Sequence, residues 1–384
     1  MNKSFILFLA LIIYPLAAFA MPADDRRQGT IDRTMTLVEA SLERAPYAEV
    51  AVEPETQAVV MPIEIAPRQE EAPVVTDRPV WERRHNNELA FSMGTYLFET
   101  GDKWPLRYSL LYAESDKVEK NGAMFGIYGA KTWRISEPLR HAGDIWRISP
   151  LPNVVRFEAE FLMGKVDYSS YATGKREGFD VQDIDARLLF GYDYVWSDTT
   201  MITPYIGVGW RRVSDTTGGW VDFIARAYEP FKTETSFLYI PVGIETLTQV
   251  SKQWDIHFKF EGSLVAGGAT TIFLNDIPGL YTIHDVDANQ DVQGVFQKST
   301  SDLKGGFGLR TSCKLIRKYS AFDLFLEPYF KAWHLKKSEA MQAHFRGNNN
   351  KDYVSVYDDG STYKPVWMPQ NVTASFGLRM GMQF

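Results

Sequence analysis

The sequence predicts an all-β protein, a transmembrane antiparallel up-and-down β-barrel of about ten strands, and three observations carry that prediction. Apolar residues recur with a period of two over successive segments after Glu88. No stretch beyond the first twenty residues approaches the roughly 18 uncharged apolar residues that a membrane helix needs. Aromatics reach 14%, with 10 Trp, 19 Tyr and 24 Phe, although mean hydropathy is only −0.24. A membrane barrel produces all three, because lipid-facing and lumen-facing residues alternate along each strand and aromatic girdles sit at both interfaces.

Composition narrows the field further. Across 384 residues, 41 basic and 48 acidic side chains leave a net charge of −7, so the positive field that DNA or RNA binding requires is missing and no nucleic-acid partner is expected. Cys313 is the single cysteine, which excludes an internal disulfide and leaves no zinc-binding spacing.

Residues 1–20 read as a secretory signal peptide, with Lys3 before an apolar run from Phe5 to Leu16 and the small-residue pattern Ala18-Phe19-Ala20. Residues 21–86 follow as a disordered Pro/Glu-rich N-terminal periplasmic tail. They carry Pro22, Pro46, Pro54, Pro62, Pro67, Pro73 and Pro79 with few aromatics, too little apolar surface to offset the entropy of ordering. Within the tail, Ile31, Met35, Val38 and Leu42 recur at helical spacing behind Thr30, which marks a short amphipathic helix over 30–45.

The barrel domain spans 87–384. Residues 88–98, 122–133, 153–167, 182–196, 201–213, 236–249, 253–265, 303–316, 321–334 and 372–384 alternate in polarity, over lengths that suit tilted strands with about 9 to 11 residues in the bilayer. A further strand at Trp104–Ala113 would raise the count to twelve. Parity is clearest where Trp254, Ile256, Phe258, Phe260 and Leu264 alternate with Asp255, His257, Lys259, Glu261 and Ser263. It holds where Ile202, Ile206, Val208 and Trp210 oppose Thr203, Tyr205, Gly207, Gly209 and Arg211, and where Ala374, Phe376, Leu378, Met380, Met382 and Phe384 oppose Ser375, Gly377, Arg379, Gly381 and Gln383. Links 168–181, 214–235, 266–302 and 335–371 are long, while 197–200, 250–252 and 317–320 are short. That alternation matches external loops and periplasmic turns.

The same parity assigns a polar set to the lumen. Its acids are Glu158, Glu160, Asp185, Asp193, Glu245, Asp255, Glu261, Asp323 and Glu327, and its bases are Arg156, Arg187, Arg211, Lys259, Arg310, Lys314, Lys331 and Arg379, with His257 among them. Near-balance of sign permits pairing in a partly desolvated cavity. A barrel only slightly wider than the eight-stranded packed type is expected to be plugged.

Two loop features offer chemistry. Asp285, Asp287, Asn289 and Asp291 place oxygen ligands at alternate positions, the pattern of a calcium loop, but Gln290 stands where the turn glycine belongs and Phe296 where a bidentate Glu would close the site. Calcium is the one cofactor the sequence suggests. His284 beside Asp285 and Asp287 lacks both an acid pair and a nucleophile arrangement, so no catalytic residue is assigned and no enzyme is expected.

The ending on Phe384 resembles the C-terminal strand of Gram-negative outer-membrane proteins, and that resemblance implies recognition by the barrel-assembly machinery. More widely, Gly164–Gly174 (GKVDYSSYATG), Ala186–Trp196 (ARLLFGYDYVW), Thr203–Arg211 (TPYIGVGWR), Leu326–Trp333 (LEPYFKAW) and Phe376–Phe384 (FGLRMGMQF) resemble a group of proteobacterial outer-membrane barrels. The resemblance implies a fold and a location in the outer membrane of a Gram-negative bacterium, in contact with its lipid, and brings no activity. The strand count resembles the omptin proteases, which implies a surface hydrolase as one alternative. The leading expectation is a non-enzymatic barrel whose long loops serve envelope structure or contact a host, phage or envelope protein. A narrow channel for ions or small solutes is the other alternative.

Overall fold

The computed structural model describes residues 85–100, 118–139, 152–170, 174–221, 228–276, 281–285, 289–339, 344–354 and 370–384. The signal peptide, the helix over 30–45 and the extra strand at Trp104–Ala113 fall outside the described residues, as does the tail up to residue 84.

Among the described residues sixteen strands follow in chain order: β1 (Asn87–Thr100), β2 (Val118–Arg134), β3 (Val154–Ser170), β4 (Gly174–Gly191), β5 (Tyr194–Ser197), β6 (Thr200–Val221), β7 (Tyr228–Gln249), β8 (Trp254–Ile272), β9 (Tyr281–Asp285), β10 (Gln290–Phe296), β11 (Ser299–Asp302), β12 (Gly306–Lys318), β13 (Asp323–Leu335), β14 (His344–Gly347), β15 (Asp352–Val354) and β16 (Asn371–Gln383). All pair antiparallel. The strands β1, β2, β3, β4, β6, β7, β8, β12, β13 and β16 form a closed ring, sealed where β16 pairs with β1 from Asn371↔Thr100 to Gln383↔Glu88. Closure leaves no open edge, as a wall in hydrocarbon requires.

Two short strands belong to the same sheet. β5 pairs with β6 beyond the end of β4, and β11 pairs with β8 beyond the start of β12, so two of the ten staves are interrupted. At the second break Gly305 has φ +107°, a conformation that a side chain would strain. At the first, the Asn153 side chain accepts from Asp193 N at 2.7 Å and donates to Asp193 O at 3.2 Å, replacing the ladder bonds lost there.

Outward parity is apolar around the ring. Phe91, Ile127, Met163, Val208, Ile240, Phe260, Phe307, Leu326 and Met380 are all exposed, a side-chain band that water would not tolerate and lipid does. The described residues contain no helix long and apolar enough to cross a membrane, and the apolar outer face is carried by strands.

The sequence reading of the links needs one correction. Residues 168–181 and 214–235, expected as external loops, are mostly strand: β3 and β4 join through 171–173, and β6 and β7 through 222–227. β6 and β7 each run 22 residues, roughly 70 Å of extended chain against an apolar band of about 25 Å. Their outer ends carry Arg212 and Glu234 on the outward face, paired at 2.5 Å. The wall therefore continues past the lipid on this side as a projecting hairpin.

The longest links fold as a second sheet. β9 and β10, from the link between β8 and β12, pair with β14 and β15, from the link between β13 and β16, in the order β15-β14-β10-β9. β10 meets β14 at Gly294↔Gly347, Val295↔Arg346 and Phe296↔Phe345. A Cβ on Gly294 would lie 2.1 Å from Arg346 O and 2.6 Å from the Phe345 ring, so only glycine lets these strands close over buried Phe345.

Candidate functional site

Short turns between staves lie at the rim that also holds Asn87 and Phe384, where Asn87 N donates to Phe384 O and Phe384 N to Asn87 O, each at 3.0 Å. The link 135–153 between β2 and β3 joins at that rim too, while the two longest links, between β8 and β12 and between β13 and β16, lie at the opposite one. In a membrane barrel these are the periplasmic and external rims, and the lumen between them is the site that the wall positions.

Its centre is a lattice of buried ion pairs. Glu158 accepts from Arg187 Nε at 2.7 Å and from Lys259 Nζ at 2.8 Å, and Arg156 lies 2.8 Å from it. Glu261 accepts from Arg187 at 2.6 Å and from the Tyr205 hydroxyl at 2.9 Å. Glu160 accepts from Lys331 at 2.6 Å and from Arg379 at 2.8 Å. Arg379 also reaches Glu327 at 3.4 Å and lies against the rings of Tyr128 and Tyr329, at 4.3 and 4.4 Å. Asp185 takes the Tyr239 hydroxyl at 2.6 Å and pairs with Arg310. Each carboxylate leaving water is met by cations and hydroxyls on other strands, which is the condition for burying it at all.

Towards the periplasmic rim the packing opens into a vestibule of about 90 Å³. Glu245 lies within 2.9 Å of His257 Nε2, 3.1 Å of Lys259 and 3.4 Å of Arg156 there. Lys318 pairs with Asp255 at 2.7 Å, and Asp323 lies 3.3 Å from His85. Towards the external rim the filling turns apolar. Tyr96, Phe98, Met124, Leu162, Val166 and Val181 form one buried cluster, and Phe237, Tyr239, Leu303, Trp333 and Leu335 another. Asp183 and Arg211, bonded at 2.9 and 3.0 Å, sit where the two fillings meet, with the Arg211 guanidinium 5.5 Å from the Trp333 ring.

Period-two reading thus puts its chosen side chains inside the ring, Asp193 and Lys314 included: Asp193 accepts from Thr203 at 2.7 Å, and Lys314 donates to Glu88 at 2.7 Å. Several partners escaped it. Asp183 and Glu88 share the inward parity of Asp185 and Ala90 and were legible by counting in twos. Lys120 and Asp215, paired at 2.9 Å, lie on strand ends that the sequence reading had given to loops. The buried tyrosines 128, 205 and 239 carry no charge pattern to flag them.

Of the calcium ligand set, Asp287 lies outside the described residues, and Asp285 and Asp291 are not cross-strand partners: the first pairs with Gln290 and the second with His284. Asn289 holds φ 47° in the turn between β9 and β10. Among the described residues no group of three or more His, Cys, Asp or Glu gathers in a way that would hold a metal ion.

No protein-family model and no curated protein matches the chain. Among solved structures it is similar to the transport unit of the autotransporter AIDA-I from Escherichia coli, at 12% identity and TM-score 0.28 over 79% of this chain and 92% of that one. It is also similar to the translocator domain of the autotransporter NalP from Neisseria meningitidis, at 11% identity and TM-score 0.28 over 78% and 89%. The Ralstonia pickettii toluene transporter TbuX is similar at 8% identity and TM-score 0.27 over 80% and 92%. On its own geometry, a closed antiparallel ring with an apolar outer face and its two longest links at one rim, the protein is an outer-membrane β-barrel of the Gram-negative kind.

Proposed function

We propose that this barrel is a non-enzymatic mount: its packed lumen keeps the wall rigid, and the four-stranded sheet at the external rim is the surface that meets a macromolecular partner outside the cell. The observation that supports this reading is the pairing of β10 with β14. Two links separated by two staves share a hydrogen-bond ladder and a buried phenylalanine, which gives the rim one defined surface rather than two independent coverings. Binding function concentrates on loops held by a rigid scaffold. On the same reading the lumen ion pairs fix register and shape.

Excising Tyr281–Phe296 and His344–Val354 tests it. The shortened protein is expected to assemble as a folded, heat-modifiable barrel while losing surface adhesion, phage adsorption or envelope contacts. Unchanged behaviour in all of these assays overturns the reading.

A second reading, a narrow channel for ions or small solutes, is favoured by the vestibule lined by Glu88, Arg156, Glu245 and His257. Planar-bilayer conductance separates the two. The mount predicts silence from about pH 5 to about pH 8, the interval in which an ordinary histidine changes charge, whereas stepwise currents support the channel. Peptide cleavage by the purified barrel, lost in His284→Ala, would replace both with a surface hydrolase.

A further inference from the structure

We infer that the outward face of β12 near the periplasmic rim binds a glycerophospholipid of the inner leaflet, with Arg317 taking the phosphodiester and a groove above it taking an acyl chain. The inference rests on the membrane position of the wall and is independent of the loop sheet.

Arg317 is a cation of the wall set among aromatic rings. It is exposed on the outward face, where its register partners are Trp254 on β8 and Leu324 on β13. Its guanidinium carbon lies 5.6 Å from the Trp254 ring and 5.4 Å from the Tyr319 ring, and Tyr319 is stacked on Phe322 at 5.5 Å. No carboxylate partners it among the described residues. Elsewhere on the outward face, Arg212 and Lys232 share Glu234 at 2.5 and 3.4 Å, and Lys165 lies 3.9 Å from Asp180. The adjacent Lys318 points inward to Asp255.

Aromatic belts mark the headgroup level of a bilayer. An arginine clamped between two such rings therefore holds an uncompensated charge at the depth of the lipid phosphates. Its planar fork matches a phosphate oxygen pair, and the aromatic contacts fix its direction in advance.

The wall above Arg317 is shaped for the remainder of the molecule. Successive outward residues of β12 are Leu315, Cys313 and Thr311, two of them short. They run between Ile256, Phe258 and Phe260 on β8 and, on β13, Leu326 and Phe330. The short, half-buried Cys313 beside Phe258 leaves a shallow groove above Leu315. From Arg317 to Cys313 it extends roughly 13 Å along the strand, most of the ~15 Å of hydrocarbon in one leaflet, and it ends at buried Thr311. Charge at the interface and a shallow apolar groove leading from it into the hydrocarbon together describe one occupant, an acyl chain ending in a phosphodiester.

The test is native mass spectrometry of the full-length barrel extracted in a neutral detergent, with phosphatidylglycerol and phosphatidylethanolamine as the added probes. The parent is expected to carry a single phospholipid adduct. Arg317→Gln should lower adduct occupancy about tenfold, the worth of one charge-assisted hydrogen-bonded contact, and Arg317→Lys should restore part of it. Cys313→Trp, which fills the groove and leaves the cation in place, should also lower occupancy. Arg346→Gln, on the external sheet, should not. Equal retention of both phospholipids by the parent and Arg317→Gln, or equal loss in Arg346→Gln, overturns the site. Each protein is also assembled into phosphatidylcholine vesicles and scored by heat-modifiable mobility. A parent that fails to enter vesicles removes the membrane reading and the site with it, whereas variants that enter normally and bind normally remove the site alone.

Discussion

The two halves of the lumen are filled by opposite chemistries. On the periplasmic side Glu158, Glu160 and Glu261 are buried among cations, while on the external side Leu162, Val166 and Met124 are buried among one another. A narrow ring requires that its interior be occupied and is indifferent to polarity, but the two fillings respond differently to change. A carboxylate out of water is held only by several partners at once, so its loss strands each of them. A methyl group is held by contact alone, and its loss leaves a hole of its own size.

Four substitutions press on that contrast, taken from the largest expected effect downward. Glu158→Gln leaves Arg187, Lys259 and Arg156 short of a counter-charge and should cost about 3–5 kcal/mol, read as a lowered urea midpoint in vesicles. A cost below about 1 kcal/mol would mean the cations re-pair, and the supposed rigidity of the charged half would be gone. Leu162→Ala should cost about 2–4 kcal/mol with no dependence on salt. Gly209→Ala places a Cβ 2.2 Å from the Tyr239 ring, which is bonded to Asp185 and packed against Trp333 at 4.7 Å. Disturbing both fillings where they meet should cost about 1–3 kcal/mol, and wild-type stability would show that the boundary is soft. Lys165→Ala removes half of an outward pair whose side chains are 72% and 71% exposed. It should change stability by less than about 0.5 kcal/mol, and a larger loss would show that outer-wall charges matter as much as those in the lumen.

The strands were legible in the sequence wherever one face meets lipid, because hydrocarbon enforces strict alternation at Ile202, Ile206 and Val208 or at Phe376, Met380 and Met382. Legibility ended at the bilayer surface. Beyond it the outward positions of β6 and β7 carry Arg212, Glu234 and Lys232, the polarity contrast between faces vanishes, and strand reads as loop. Lys120 and Asp215 were lost for that reason. The external sheet was hidden by a different cause: β10 and β14 are short and far apart in the chain, and a pairing between two loops has no local pattern. Arg317 was outward by parity, yet its isolation depended on where every acid had gone.

The seam between β1 and β16 has a consequence for how the molecule is made. Asn87 Nδ2 donates to Phe384 O across 297 residues of chain, so β1 must wait for β16 before its second edge is paired. Until it arrives, β1 and β13 each expose a bare row of amides and carbonyls that lipid tails have no means to satisfy. Neighbouring hairpins form early and cheaply, but the ring gains its hydrocarbon-compatible surface only in the last step. Joining the ends and becoming a membrane protein are the same event.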